Sequence, residues 1–445
     1  MAENPEAPEG RHIELNIVRL PAIASSPKPD SLFILTGGPG EAATDLVERL
    51  PPLFRDANRQ RDLVFVDQRG TGESNPLDCA PKEPMDYSLS AQESQAMQDS
   101  LLRGCLAGYD ADLRFYTTPY AMDDINRVRE ALDYDHINLW GGSYGTRAAL
   151  VYMRRHPDTV RSAVLDSLAP IGIQLPHHAL VDADTALRNL FGLCEQDAAC
   201  QQRFGDLEST TRQLVADLDD RPRRVSVEHP LTQERIQLNV SGQWLASLIR
   251  LALYQRDLGP ILPLAIESAA AGDFRPFVLL LTLAEDLSES ISIGMQITIL
   301  CAEDVTRPAP EHNLERASIL QLDMLDGMRA TCEFWPRGEL PEDYFEPVYS
   351  DAPVLLLSGE LDPVTPPRWA DYAGRTLPNS RHIRVPGAHH VSSNTGCLND
   401  LIIEFIDAPS AANLDTECVQ AIEPFPPFVS RAGPAMSKRD GDNHD

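Results

Sequence analysis

The chain lacks the features that would tie it to a membrane, a nucleic acid or a metal. No apolar run approaches the roughly 18 residues that a membrane-spanning helix needs, and its stretches of Leu, Ile and Val are short and interrupted. Basic residues are few: 38 Lys and Arg stand against 67 Asp and Glu, a net charge of −29. Binding nucleic acid requires a basic face to neutralise phosphates, so that class of partner is excluded. Such a field instead draws in cations, a peptide with a free amino terminus among them. No two cysteines stand in C-x-x-C spacing, which argues against zinc and thioredoxin-like chemistry. Neither GxxxxGK[ST] nor GxGxxG occurs, so the glycine-rich stretches are not phosphate cradles. The opening MAENPEAPEG has no basic region followed by an apolar one, the pattern of an export signal.

The eight cysteines that are present fall into neighbouring pairs: Cys79 with Cys105, Cys194 with Cys200, Cys301 with Cys332, and Cys397 with Cys418. An even count in local pairs predicts four disulfides and an oxidising compartment, periplasmic or secreted. At 445 residues, 42% of them hydrophobic, the chain is long enough for one large α/β domain carrying an insertion. Short apolar strands are predicted at His12–Leu20, Ser31–Leu35 and Asp62–Asp67, with a helix over Ala43–Gln60 between the last two. A helix at Met122–Leu132, a strand ending at Trp140 and another at Val160–Leu165 continue the alternation, which is that of a parallel sheet covered on both faces.

From about Gln174 the pattern turns helical, with helices expected at Leu180–Phe191, Leu207–Leu218, Gly242–Tyr254, Pro260–Ala271 and Pro276–Leu287 and a hairpin at Arg224–Val240. The sheet resumes at Pro353–Ser358 and His382–Val385, and a helix at Cys397–Ile406 closes it. The division expected is therefore a core over 11–172, a helical lid over 173–349, the rest of the core over 350–429, and a disordered tail over 430–445.

Chemistry is concentrated at Gly141-Gly142-Ser143-Tyr144-Gly145, a G-x-S-x-G between a predicted strand and a predicted helix. The glycines leave room for a sharp turn that lifts the Ser143 hydroxyl clear and aims the Tyr144 N–H at a developing oxyanion. A serine nucleophile needs a base, and the base a carboxylate. In this architecture the acid and the histidine follow the serine in chain order, on loops at strand ends. Asp362, in Gly359–Pro366, and the pair His389 and His390 satisfy that order, with Asp166 and the weaker Glu360 as rival acids. The second oxyanion donor belongs in Gly37-Gly38-Pro39-Gly40, where Pro39 has no N–H; Gly38 is the first choice and Gly37 the second.

These residues resemble the proline iminopeptidase and tripeptidyl aminopeptidase branch of the α/β-hydrolases. GGPG at Gly37–Gly40, DQRGTGES at Asp67–Ser74, GGSYGTR at Gly141–Arg147 and SGELDPVTPP at Ser358–Pro367 carry the likeness, which extends from Gly10 to Val429. Cys301-Ala302-Glu303-Asp304, Cys332 with Trp335-Pro336, and Gly396-Cys397 before Cys418 are similar to its secreted tripeptidyl aminopeptidase-like members. The resemblance implies an α/β-hydrolase fold with a large helical lid, Ser143 as nucleophile, Asp362 as acid, and Gly38 with Tyr144 as oxyanion donors. Counting seven residues back from Cys397 selects His390 as base. Thr36 stands where the family carries His before GGPG, which should alter loop packing and leave the donor in place. Lid carboxylates that hold a substrate's amino terminus in related exopeptidases match Glu303 best and Asp304 next. The activity implied is a serine aminopeptidase acting on short peptides without metal or organic cofactor. An esterase or amidase using the same triad is the alternative, and a non-catalytic binding protein with a relic elbow a more distant one.

Overall fold

The computed structural model of the chain describes residues 1–48, 50–80, 86–281, 290–308, 318–321 and 324–435. The centre of its sheet includes runs buried at every position, such as Ser31–Leu35 (β2) and Leu63–Val66 (β3). Successive side chains on a strand face opposite ways, and here both faces are covered. Leu32, Ile34, Leu63 and Phe65 pack with Trp140, Val164 and helix Leu398–Asp407. Phe33, Leu35, Val64 and Val66 pack with Leu139, Leu165 and helices Thr118–Ala131 and Tyr144–Arg155.

The remaining strands of the sheet are Ile17–Leu20 (β1), Ile137–Gly142 (β4), Val160–Asp166 (β5), Val354–Gly359 (β8) and Ser380–Val385 (β9). Their order is β1-β3-β2-β4-β5-β8-β9, with β1 antiparallel to β3 and the other neighbours parallel. Parallel strands joined through helices put the ends of β2, β4, β5, β8 and β9 on one edge, where ligands bind in open sheets of this kind.

The insertion is mainly helical, as expected, and has its own core. Helices Leu175–Gln196, Leu207–Asp220, Gly242–Tyr254 and Leu262–Ala270 bury Leu187, Val215, Leu245, Ile249 and Ile266 together. The hairpin Arg223–Glu228 (β6) and Arg235–Val240 (β7) adds Leu238 and Val240 to it. Residues 275–281 are helical, and the rest of the helix expected over Pro276–Leu287 lies outside the described residues.

Differences from the expected elements have local causes. The helix expected over Ala43–Gln60 is two short ones, Asp45–Glu48 and Pro52–Ala57, because Pro51 and Pro52 cannot continue the first and Pro52 starts the second. The first strand begins only at Ile17. Part of the expected tail is ordered: Phe428–Ser430 pairs with Gly433–Pro434, and 436–445 lie outside the described residues. Helix Ala91–Gly108 was not anticipated, although Ser90 and Glu93 form a capping box at its start. It packs Leu102 with Met295, Ile297, Cys301 and Trp335, so this part of the insertion rests on the early core.

All four expected disulfides are present, Cys79–Cys105, Cys194–Cys200, Cys301–Cys332 and Cys397–Cys418. The DQRGTGES segment is a buried fastener. Asp67 accepts from Asn16 Nδ2, Thr44 N and Thr44 Oγ1, each at 2.9 Å. Arg69, fully buried, grips Asp124 in a two-pronged pair of 2.6 and 2.8 Å and donates to the carbonyls of Glu3 and Phe115. Removing one partner of a buried ion pair strands the other. Asp124→Ala is therefore expected to lower unfolding free energy by about 3–5 kcal/mol in urea titration; a loss under about 1 kcal/mol, the range of exposed pairs, would contradict the fastener.

Candidate active site

Ser143 stands between β4 and helix Tyr144–Arg155 with φ 55° and ψ −123°, a left-handed conformation uncommon for a side chain with a Cβ. Its hydroxyl caps no N–H of that helix. The turn is possible because Gly145 lies against the end of β2: a Cβ there would come within 2.0 Å of the Leu35 carbonyl oxygen. The Ser143 N–H donates to the Asp166 carbonyl at 2.9 Å, and the Ser143 carbonyl accepts from Thr146 N at 2.9 Å.

The histidine pair divides its work. His390 Nδ1 faces Asp362 at 2.9 and 3.0 Å, whereas His389 is buried and its Nδ1 donates to the Leu253 carbonyl of the lid at 2.6 Å. His389 also lies against Gly259, where a Cβ would approach its ring to 2.4 Å. His389 thus fastens the lid to this loop, and His390 makes the carboxylate pair. Asp362, fully buried, also accepts from Val364 N and Thr365 N at 2.9 Å and Thr365 Oγ1 at 2.8 Å.

Burial pushes the Asp362 carboxyl up, but His390 and these donors outweigh it and hold the group well below the usual carboxylate range. Burial likewise opposes charging His390, and the Asp362 anion overcomes it, so the imidazole titrates above its ordinary value. An Nδ1 proton held by Asp362 leaves the Nε2 lone pair as the basic site. The lid covers the ring: Tyr254 meets His390 edge to face at 5.0 Å, and its hydroxyl accepts from Arg250 at 2.9 Å.

Asp166 is not paired with a histidine. Its carboxylate takes Ser392 N and Oγ at 3.0 Å and Ser393 N and Oγ at 2.6 and 2.5 Å. The rival acid is thus an anchor for the histidine loop. Glu360 is exposed and borders a cavity of about 400 Å³ shared with Asn189, Arg368 and Arg384, which does not include Ser143.

On the loop after β2, Gly38 adopts φ 99°. Among the described residues no acceptor takes the N–H of Gly38 or of Tyr144. The Gly37 N–H is engaged, donating to Glu41 Oε2 at 3.0 Å, which removes the second-choice donor. Thr36, in the place of the family's His, donates its hydroxyl to the Glu41 carbonyl at 3.1 Å.

Glu303 and Asp304 are brought together with the elbow helix and not with open space. Both are buried, at 1% and 0% exposure. Arg147, three residues into that helix, holds Asp304 through two contacts of 3.0 Å and Glu303 through one of 3.4 Å. Glu303 also accepts from Thr118 N and Oγ1 at 2.9 Å and from the Tyr344 hydroxyl. The two carboxylates expected to anchor an ammonium thus share Arg147, and an incoming amine would have to enter that cluster. Sequence reading missed Arg147 as their partner, although its own helix register points it inward. It also missed Glu41 and Tyr254; Glu41 directly follows GGPG, where an acid among small residues is a visible signal.

The chain matches the family described as alpha/beta hydrolase fold over residues 30–220 and the one described as TAP-like protein over residues 321–418. It is 26% identical to the tripeptidyl aminopeptidase of Streptomyces coelicolor, the match covering 94% of this chain and 82% of that protein. With the serine protease Hip1 of Mycobacterium tuberculosis identity is 24%, over 90% of this chain and 82% of the other. The probable proline iminopeptidase of Streptomyces coelicolor is 28% identical over 32% of this chain and 34% of its own length. The crystal structure of a proline iminopeptidase from Mycobacterium smegmatis aligns over 89% of this chain and 95% of its own, at 15% identity and a TM-score of 0.39. With its sheet and elbow, the chain is a serine hydrolase of the α/β-hydrolase fold. Within that fold, the relatives it resembles over most of its length are named tripeptidyl aminopeptidase and serine protease.

The electrostatics of the pair can be read directly. In NMR titration of the imidazoles, His390 should titrate above about 6.5, the unperturbed value. Asp362→Asn removes the anion and leaves burial, so the His390 pKa should fall below its wild-type value. An unchanged or higher value would mean that another group sets the charge on His390.

Proposed function

We propose that the protein is a serine aminopeptidase of short peptides, working through an acyl-enzyme on Ser143. The observation that supports this most is the Asp362–His390 pair on the same sheet edge as an uncapped elbow serine flanked by two unused amides. In this reading the Ser143 hydroxyl attacks the scissile carbonyl as His390 Nε2 takes its proton. Asp362 keeps the imidazole in the required tautomer and stabilises its charged form. The carbonyl oxygen, now an oxyanion, is held by the Gly38 and Tyr144 N–H groups. His390 then protonates the departing amine, and the same base activates water to release the acyl group.

The substrate class comes from the relatives' names together with the acidic charge balance, which favours a cationic terminus. The lid, fastened through His389 and Tyr254, narrows the approach to short chains. Four disulfides favour an oxidising compartment, so we place the enzyme in the periplasm or outside the cell.

Ser143→Ala should keep the fold and reduce kcat by on the order of 10⁴ or more. Wild type should cleave chromogenic amides with a free amine in preference to their N-acetylated forms and to simple esters. Equal labelling of wild type and variant by a fluorophosphonate would remove Ser143 from the mechanism. A preference for esters would replace the peptidase reading with an esterase one.

A further inference from the structure

One carboxylate beside the nucleophile has no part in the steps above. Glu41 Oε2 accepts the Gly37 N–H at 3.0 Å. The point where a Cβ on Gly37 would stand lies 3.2 Å from that oxygen and 3.2 Å from Ser143 Cβ, so carboxylate and nucleophile face each other across a glycine. The backbone carrying it is pinned from two sides. Thr36 Oγ1 donates to the Glu41 carbonyl at 3.1 Å. Ser292 N donates to the Gly40 carbonyl at 3.0 Å, and Glu41 bridges Ile291 of the insertion. Among the described residues no donor reaches Oε1, and no Lys or Arg pairs with the group. Burial raises its pKa, against the pull of Gly37 N–H and His390.

A carboxylate next to the site of a developing oxyanion opposes the transition state when it is ionised, and burial alone disfavours that form. It becomes an asset if a substrate cation lies between them. We propose that Glu41 receives the α-ammonium group of the very residue whose carbonyl Ser143 attacks, so that residues are released singly. The proposal rests on the aminopeptidase reading and narrows it. Reach decides the number: covalent geometry puts that nitrogen about 2.5 Å from its own carbonyl carbon. In an extended tripeptide the terminal nitrogen is about 9 Å from the third carbonyl. The two 3.2 Å approaches to one point keep Glu41 Oε2 within about 6.4 Å of Ser143 Cβ, which suits the first reach better than the second.

The test compares wild type with Glu41→Gln, whose amide oxygen can still accept from Gly37. The readout is the ratio of kcat/KM for alanine p-nitroanilide to that for its N-acetyl form, with the tripeptide Ala-Ala-Ala p-nitroanilide and its acetylated form measured alongside. A ratio within one preparation cancels any inactive fraction. The single-residue ratio should fall about 30-fold or more, as for losing a charged partner, and the tripeptide ratio less. Glu41→Asp, which keeps the charge, should restore part of it. A single-residue ratio that does not move, or a fall confined to the tripeptide pair, overturns the proposal and leaves the serine peptidase reading standing. So does a loss confined to N-acetyl-lysine p-nitroanilide, which would assign Glu41 to a side chain. Wild type that cleaves free and acetylated anilides alike overturns both.

Discussion

Asp166 ties together the two loops on which the site depends. Its carbonyl fixes the Ser143 N–H, and its carboxylate collects four donors from Ser392 and Ser393, just past His390. Ser167 adds a fifth link by accepting from Val391 N at 2.8 Å, and Trp140 on β4 donates its indole N–H to Ser393 Oγ at 3.1 Å. Ser143 and His390 come from segments some 250 residues apart in sequence, and this knot sets their register. Burial pushes the Asp166 carboxyl up while the four hydrogen bonds pull it down. A buried carboxylate with every lone pair used is rigid, and rigidity is what a positioning group supplies.

The other buried acids follow the same rule and differ in what satisfies them. Asp362 is matched by His390 and three donors of its own turn, Asp124 by Arg69, and Glu303 with Asp304 by Arg147. Each is closed, with its partners inside the protein. Glu41, half-buried, has one oxygen held by Gly37 N–H and, among the described residues, no donor on the other, and it borders Ser143. Closed carboxylates build the scaffold, and the contrast with Glu41 is what motivates the proposal made for it.

Much of this was legible because the signals are local. Ser31–Leu35 reads as a buried strand from five residues, and the elbow from glycines, of which Gly145 is pressed against the end of β2. The cysteine pairs were readable because each bridge closes a short loop. What escaped depends on contacts distant in sequence. Whether Glu303 faces a pocket or an arginine depends on Arg147, 156 residues away. The residues alone leave His389 and His390 open and only the family spacing selects His390; the contact that engages His389, the Leu253 carbonyl, is distant, as are the two serines more than 220 residues later that hold Asp166. The Pro51-Pro52 break and the Ser90 capping box were local and could have been read; the competing helical periodicity obscured the first.

The central claim, that hydrolysis passes through an ester on Ser143, is tested most directly by trapping it. Protein quenched in acid during turnover of a free-amine peptide ester should gain the mass of the acyl portion, and peptide mapping should place that mass on the segment holding Ser143. An adduct on any other residue, or rapid product formation with no adduct under conditions where deacylation is the slow step, would contradict the account.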